Sequence, residues 1–167
     1  MKSNSDVYFA IEPCTFGKIL VAKNNVGICS ILLGHHIKDL QKELKSNFPL
    51  CNLIKSETKT DVRKIIRFIE NPKAEFDMPL DIQGTKFQQK VWSLLRNIPS
   101  GSTVSYTDIA KKIGSPKLAR AVANACASNK LAVIIPCHRV VKKDGTLSDY
   151  RWSIDRKQKL LKIEQQK

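Results

Sequence analysis

The first half of the chain alternates short apolar runs with two amphipathic stretches. The apolar runs cover residues 7–11, 18–22 and 27–33, and their length and β-branched content are typical of strands. Residues 36–47 and 60–70 place apolar side chains three and four positions apart, which predicts helices that pack one face against a core. We therefore expect a strand-rich α/β domain here, without a pattern of catalytic groups.

The second half predicts a mainly helical domain. We place the boundary near Gly84, which gives an N-terminal structural domain of residues 1–83 and a C-terminal domain of residues 84–167. Thr85 can cap the first helix of the second domain, because threonine side chains accept hydrogen bonds from exposed backbone N–H groups. The Ile98-Pro99 pair ends that helix, since proline disfavours a helical conformation in the residue before it.

A second and a third helix follow, separated by a short turn. Ser105 and Asp108 match a capping box at the start of the second helix. A turn follows at Gly114, after which Ser115 can cap a third helix with Pro116 at its first position. A helix, a short glycine turn and another helix form the helix-turn-helix signature.

The third helix carries Arg120 among small side chains, mostly alanine. Small side chains let a helix approach a DNA groove closely, and one long cation among them can reach into the base stack. The alternative is an ordinary core helix with one surface arginine.

Charge is distributed unevenly between the two halves. The net charge is +14, and residues 1–83 hold 12 Lys and Arg against 10 Asp and Glu, whereas residues 84–167 hold 17 against 5. A basic half of this kind is the electrostatic footprint of a protein that binds the phosphate backbone. A solvated basic surface without a partner is the alternative.

Composition restricts the protein classes further. The 167 residues are 42% hydrophobic and 26% charged, as in ordinary globular proteins. We see neither a secretory signal nor a membrane-spanning stretch, so we expect a cytoplasmic location. Five cysteines without close pairing argue against a disulfide framework or a zinc site. The adjacent His35 and His36 are interpreted as solvent-facing turn residues, and no metal site is expected.

A thiol and an imidazole stand side by side at Cys137 and His138, inside an apolar, β-like run. A free thiol is mostly protonated at neutral pH, so a reactive cysteine needs a base to form its thiolate. Adjacent residues of an extended chain face opposite ways, so we expect contact through a bend or a bridging water. Glu164 lies beside the predicted buried stripe of the last helix, residues 153–164, and could orient the imidazole. Without further information, a structural Cys-His pair is the alternative.

The run from Thr85 to Glu164 resembles the O6-alkylguanine-DNA alkyltransferase family (methylated-DNA-protein-cysteine methyltransferases), most closely its bacterial adaptive-response branch. The first half is similar through a weaker pattern around Pro13-Cys14-Thr15. The matching pieces are Phe87-Gln88 to Val91-Trp92, Ile98-Pro99, Ser105-Tyr106, Ile109-Ala110, Arg120-Ala121-Val122, Asn129, Pro136-Cys137-His138-Arg139-Val140, Tyr150, and Leu160-Leu161 with Glu164.

This resemblance implies an α+β fold: a small strand-rich, ribonuclease-H-like N-terminal domain and a helical, winged helix-turn-helix-like C-terminal domain. It implies that Cys137 accepts the alkyl group, that His138 is a base acting through water, and that Glu164 orients His138. Asn129 corresponds to a hinge residue that hydrogen-bonds near the cysteine. Tyr106 corresponds to the donor that helps the guanine leave.

The resemblance also implies a DNA partner, namely double-stranded DNA containing O6-alkylguanine, and O4-alkylthymine as a further possible substrate. Arg120 corresponds to the finger that replaces the flipped base. Further DNA contacts are expected from Tyr106, Thr107, Ser115 and Lys143. The protein is expected to act as a monomer without a cofactor.

The guanine pocket is expected to be lined by Tyr150, Arg151 and Trp152. The indole of Trp152 would narrow this pocket against bulky adducts, unless it packs into the core under the last helix. Asp149 and Ser153 depart from the family pattern, which commonly has glycine around the tyrosine, so the flexibility of this loop is open.

Two other functional classes fit parts of the pattern. A non-catalytic lesion sensor on the same fold is disfavoured because such relatives replace the acceptor, whereas Cys137 is present. A thiol hydrolase using Cys137, His138 and Glu164 is disfavoured by the helix-turn-helix and the basic half.

Methyl transfer to sulfur would give a thioether that water cannot hydrolyse, so the alkyltransferase interpretation predicts a single turnover.

Overall fold

The computed structural model describes residues 5–71 and 74–166. The chain divides into two compact units, Met1–Ile82 and Gln83–Lys167. Each contains helices and strands, so the fold is α+β. No helix of the described residues is long and apolar enough to cross a membrane.

The N-terminal unit is built on a four-stranded sheet with two helices. The strand order is β3-β2-β1-β4, with β1, β2 and β3 antiparallel and β4 parallel to β1. The three predicted strands and both predicted helices are present. The elements are β1 (Asp6–Cys14), β2 (Gly17–Lys23), β3 (Ile28–Gly34), α1 (Ile37–Asn47), β4 (Asn52–Lys55) and α2 (Thr60–Glu70).

Apolar residues on one face of each helix build the core of this unit. Leu40 and Leu44 of α1 and Ile65 of α2 are at most 1% exposed. β3 is buried along nearly its whole length, and α1 packs against it. His35 and His36 are exposed before α1, as predicted.

The C-terminal unit contains four α-helices, two short strands and two 3-10 turns within its described residues. The strands pair in parallel, Val104 with Val140 and Ser105 with Val141. The elements are α3 (Lys86–Arg96), β5 (Val104–Ser105), α4 (Tyr106–Ile113), a 3-10 turn (Pro116–Leu118), α5 (Ala119–Ala127), a second 3-10 turn (Cys137–Arg139), β6 (Val140–Val141) and α6 (Ile154–Gln165).

The predicted helix starts are confirmed by their caps. The Thr85 and Ser105 hydroxyls accept hydrogen bonds at the starts of α3 and α4, and both caps are complete capping boxes. Ser115 accepts from the backbone N–H of Lys117 at 3.2 Å. The third helix nevertheless begins with a 3-10 turn from Pro116, and its α-helical part starts only at Ala119.

Close packing of α3 against α5 sets the frame of this unit. The Trp92 indole N–H donates to the carbonyl oxygen of Ala125 at 2.9 Å. The same ring covers Gly84, where an added Cβ would lie 2.4 Å from it. Glycine is therefore required at this position for steric reasons.

Candidate active site

A cavity of about 470 Å³ opens in the C-terminal unit, and Cys137 lines it. Side chains from α4, from α5 and from the loop before α6 form its wall. The other lining residues are Tyr106, Ala123, Asn124, Cys126, Ala127, Lys142, Ser148, Asp149, Tyr150 and Arg151.

The local backbone around Cys137 differs from the sequence prediction. Cys137–Arg139 form a 3-10 turn, rather than part of a continuous β-like run, and β6 begins only at Val140. The preceding proline, Pro136, cannot donate a ladder hydrogen bond, which is consistent with a strand that starts after the cysteine.

Asn129 holds the loop that leads to the thiol. Its side-chain amide donates to the carbonyl oxygen of Ile135 at 2.9 Å and to Cys137 Sγ at 3.3 Å. Its Oδ1 accepts from the backbone N–H of Leu131 at 2.9 Å. Asn129 is completely buried, so these bonds fix the position of the cysteine rather than compete with solvent.

The Cys137 thiol is protected from solvent and from ionisation. The residue is 3% exposed, and burial raises the pKa of its thiol, although the Asn129 amide, Lys157 and Arg151 act in the opposite direction. Because the raised pKa favours the neutral thiol at neutral pH, reaction at sulfur requires a base.

His138 follows Cys137 in the chain, and one of its two ring nitrogens is paired. Its Nε2 lies 2.7 Å from Glu164 Oε1, whereas its buried Nδ1 has no hydrogen-bond partner among the described residues. Burial lowers the pKa of His138, against the opposing effect of Glu164, and this favours the neutral ring. With Nε2–H assigned as the donor to the carboxylate, Nδ1 carries the free lone pair.

Arg139 also holds Glu164, which sequence reasoning missed. Its Nε and Nη2 donate to the carboxylate at 2.7–3.1 Å, and its Nη1 donates to the carbonyl oxygen of Ile98 at 2.6 Å. Burial alone would raise the pKa of Glu164, but hydrogen bonds from His138 and Arg139 hold this pKa at about 2. The carboxylate is therefore a permanent anion behind the imidazole.

A second polar group lies at Tyr106, on another part of the cavity wall. Its hydroxyl makes a close hydrogen bond with the Ser148 hydroxyl. Lys157 Nζ donates to Ser148 Oγ at 3.1 Å and to the carbonyl oxygen of Val140 at 2.7 Å. Neither Ser148 nor Lys157 was predicted from the sequence, although Lys157 lies one helical turn before Leu160 on the buried face of α6.

The predicted pocket residues do not all reach the cavity. Tyr150 and Arg151 line it, and the Arg151 guanidinium donates to the carbonyl oxygen of Asn129. Trp152 does not line it: the indole is 3% exposed and packs edge-on against Tyr150 at 5.4 Å. Burying the large apolar indole is favourable, so the expectation that Trp152 forms the pocket wall is corrected.

The residues predicted to bind DNA lie outside the cavity, with the exception of Tyr106. Arg120 and Lys143 are exposed and Thr107 is half-buried. The Ser115 hydroxyl is engaged as a helix cap. α5 nevertheless connects the two regions, because it carries Arg120 near its start and Ala123, Asn124 and Ala127 on the cavity wall.

The two departures from the family pattern lie at the cavity rim and at the start of α6. Asp149 is exposed and lines the cavity. Ser153 caps α6 through a hydrogen bond from the backbone N–H of Arg156. It does so with φ +92° and ψ 146°, a backbone conformation that strongly favours glycine.

Comparison with known proteins identifies relatives of both units. Residues 86–166 match the family model described as 6-O-methylguanine DNA methyltransferase, DNA binding domain. The chain is 35% identical to a methylated-DNA–protein-cysteine methyltransferase of Methanosarcina acetivorans, over 95% of this chain and 98% of that protein. It is similar to the structure of Mycobacterium tuberculosis OGT in complex with DNA, with a TM-score of 0.77, 30% identity, and coverage of 96% of this chain and 92% of that one.

The chain is also 49% identical over 163 residues to the bifunctional transcriptional activator/DNA repair enzyme Ada of Escherichia coli. That match covers 96% of this chain but 46% of the relative. The chain thus spans about half the length of this relative and of its counterpart in Salmonella typhimurium.

Proposed function

The chain belongs to the methylated-DNA–protein-cysteine methyltransferase family, and from this we propose that it repairs DNA by moving an alkyl group from O6 of guanine to its own Cys137. O4-alkylthymine is a second candidate substrate for the same site. The observation that carries the proposal is a thiol that lines a cavity and is followed in the chain by a buried histidine, whose Nδ1 has no hydrogen-bond partner within the described residues.

In the proposed first step, the Cys137 proton passes to His138 Nδ1, directly or through a bridging water. Glu164 accepts a hydrogen bond from the other ring nitrogen and stabilises the imidazolium that forms. The Asn129 amide, 3.3 Å from Sγ, can donate to the thiolate. These contacts reduce the energy needed to form a charge inside the protein.

In the second step, the thiolate attacks the alkyl carbon in line with the carbon–oxygen bond. A carbon–sulfur bond forms, the carbon–oxygen bond breaks, and its electron pair leaves with guanine O6. Tyr106 donates a hydrogen bond to the departing base, and a proton equivalent to that lost by Cys137 completes guanine. The reaction balances without a cofactor.

The product limits the reaction to one turnover. A methylated Cys137 is a thioether, which has no carbonyl for water to attack, and its thiolate is too poor a leaving group for water to displace under cellular conditions. The alkyl group therefore stays on the protein, and each molecule acts once.

Access to Cys137 requires base flipping. The sulfur lies in a cavity and is almost fully buried, so a base stacked in a duplex cannot reach it. Arg120, exposed at the start of α5, is proposed to fill the gap left by the extruded base. Thr107, Ser115 and Lys143 are proposed to add backbone contacts.

The proposed working form is a cytoplasmic monomer on double-stranded DNA. The excess of positive charge in residues 84–167 supports this choice of partner.

The test is incubation with duplex DNA that contains O6-methylguanine with an isotope-labelled methyl group, followed by mass mapping of the protein. We expect one label per molecule, on Cys137. Cys137→Ser should abolish transfer and retain DNA binding, whereas Cys51→Ser serves as the matched cysteine control and should transfer normally.

Other outcomes would contradict the proposal. Label on another cysteine or more than one turnover would exclude it. Binding of DNA that contains the lesion, without alkyl transfer, would favour a non-catalytic lesion sensor. Repeated hydrolysis of an ester by the same protein molecule would favour a thiol hydrolase.

A further inference from the structure

Three hydrogen-bonded side chains connect the protein interior to the wall of the cavity that contains Cys137. Lys157 Nζ, on a completely buried residue, donates to Ser148 Oγ at 3.1 Å. Ser148 Oγ is in turn hydrogen-bonded to the Tyr106 hydroxyl. Ser148 and Tyr106 both line the cavity that contains Cys137.

The chemistry of the three groups leaves two arrangements of their protons. An ammonium group has only donors, so Lys157 must occupy a lone pair of Ser148 Oγ. Within the described residues, Ser148 Oγ has no partner besides Lys157 and Tyr106. If Tyr106 also donates to Ser148, the proton left without an acceptor among the described residues is that of the serine hydroxyl. If instead the Ser148 O–H donates to the Tyr106 oxygen, the proton left for the cavity is that of the tyrosine.

The arrangement in which Ser148 donates is the one that serves the proposed reaction. In it the Tyr106 oxygen accepts from Ser148, and the tyrosine O–H is left to donate into the cavity. The adjacent positive charge polarises the serine hydroxyl, and hydrogen bonds in such a chain strengthen one another. Burial of Tyr106 raises the pKa of its phenol, which keeps the proton on the donor.

We infer that Ser148 and Lys157 are positioning residues that direct the Tyr106 hydroxyl toward the leaving base and transmit the charge of Lys157 to it. The inference rests on the proposed alkyl transfer. As the carbon–oxygen bond breaks, negative charge develops on guanine and the Tyr106 hydrogen bond strengthens. Ser148 and Lys157 are already oriented to stabilise the shifted electron density, so no reorganisation is needed at that moment.

The experiment separates assistance to the leaving group from the reactivity of Cys137. Ser148→Ala and Ser148→Thr are compared with wild type, and Ser93→Ala, an exposed serine on α3, is the matched control. Single-turnover transfer from duplex DNA containing O6-methylguanine is measured, together with DNA binding. Carbamidomethylation of Cys137 by iodoacetamide is mapped in parallel, because iodide leaves without a proton donor.

We expect Ser148→Ala to slow methyl transfer about 10-fold, a smaller loss than for a donor that touches the reacting atoms directly. DNA affinity and the iodoacetamide rate at Cys137 should stay within about 2-fold, a bound well below the differences expected of a lost catalytic contact. Ser148→Thr, which keeps the hydroxyl, should recover most of the rate. In a Tyr106→Phe background, Ser148→Ala should have no further effect, because both changes interrupt one chain.

Lys157→Met tests the same inference from the other end of the hydrogen-bonded side chains, since it removes the ammonium group and nearly keeps the length of the side chain. It should slow methyl transfer without adding to the effect of Ser148→Ala. Three outcomes would each overturn the inference while wild-type transfer stands. The transfer rate could be unchanged in Ser148→Ala, or the iodoacetamide rate at Cys137 could fall as much as the transfer rate. Ser148→Ala could also slow transfer as much in the Tyr106→Phe background as it does in wild type. Absence of transfer by the wild type would overturn the proposed function and this inference together.

Discussion

Replacing Glu164 with glutamine removes the charge of the buried carboxylate and nearly preserves its shape. The carboxylate accepts hydrogen bonds from Arg139 and lies 2.7 Å from His138 Nε2, and its side chain is 4% exposed. Glutamine can still accept at one oxygen but presents an N–H where the second oxygen was. The variant therefore tests how much the anion contributes to stability and to reaction.

The size of the stability effect follows from the pKa of Glu164. Hydrogen bonds from His138 and Arg139 outweigh burial and hold this pKa at about 2, against about 4.3 for a free glutamate. Such a difference corresponds to stabilisation on the order of 2–3 kcal/mol at neutral pH. Because the folded-state pKa is the lower one, this stabilisation is complete above about pH 5 and disappears as the pH falls toward 2.

Urea unfolding at several pH values, followed by tryptophan fluorescence, measures the stability of the C-terminal unit. Both tryptophans, Trp92 and Trp152, lie in the C-terminal unit. Glu164→Gln should lower the unfolding free energy on the order of 2–3 kcal/mol at pH 7 and should lose less stability than wild type between pH 5 and 2. Asp155→Asn, at an exposed carboxylate on the same helix, is the control and should follow wild type.

The same variant should slow methyl transfer on the order of 10²-fold, because the imidazolium that forms loses its counter-charge and its tautomer is no longer fixed. The assignment of the low pKa to this carboxylate would be refuted if the unfolding free energy fell equally steeply with acid in Glu164→Gln and in wild type. Unchanged transfer would refute its role behind the base.

The remaining predictions use the same two assays. Arg120→Ala should slow repair of duplex DNA while reaction with free O6-benzylguanine changes little, and equal losses would place Arg120 in the transfer pocket instead. Burial lowers the pKa of His138, so the transfer rate should fall in acid with a midpoint below the ordinary histidine pKa of about 6.5. Single-turnover rates measured from pH 5 to 8 would contradict this if their midpoint lay above that value. Trp152→Ala should cost about 3–5 kcal/mol of stability and slow methyl and benzyl substrates alike, whereas selective acceleration with O6-benzylguanine would contradict its burial. Ser153→Gly should raise stability by about 1 kcal/mol. It relieves about 1–3 kcal/mol of backbone strain, which exceeds the loss of the helix cap and the gain in unfolded-state entropy. Ser153→Ala loses the cap and keeps the strain, so it should be less stable than wild type in urea.

Features set by local interactions could be predicted from the sequence. The capping boxes at Thr85 and Ser105 involve residues within one helical turn, so their patterns predict the starts of α3 and α4 correctly. β4 was missed because its four residues, Asn52–Lys55, are mostly exposed and show no alternation. It forms a strand through its pairing with β1, which is distant in the sequence.

The candidate site shows the same limit. Glu164 and Lys157 both fall on the helix face marked by Leu160, but a carboxylate there requires a partner, whereas a lysine usually extends to solvent. The contact of Lys157 with Ser148 depends on how the loop before α6 folds, and no periodicity encodes that. Trp152 was misassigned because proximity to Tyr150 in the sequence does not determine which neighbour faces the cavity.

The last helix supplies the charges for both ends of the proposed reaction. Lys157 and Glu164 are seven residues apart, two turns along one face of α6. The carboxylate is paired with His138, and the ammonium is linked to Tyr106 through Ser148. In the proposed reaction the first increases the affinity of the imidazole for the thiol proton, and the second makes the Tyr106 hydroxyl a better donor. One charge thus favours formation of the nucleophile and the other favours departure of the base. Since both are fixed by a single buried face, a change that rotates or shifts α6 should weaken both steps together, whereas Glu164→Gln and Ser148→Ala should weaken them one at a time.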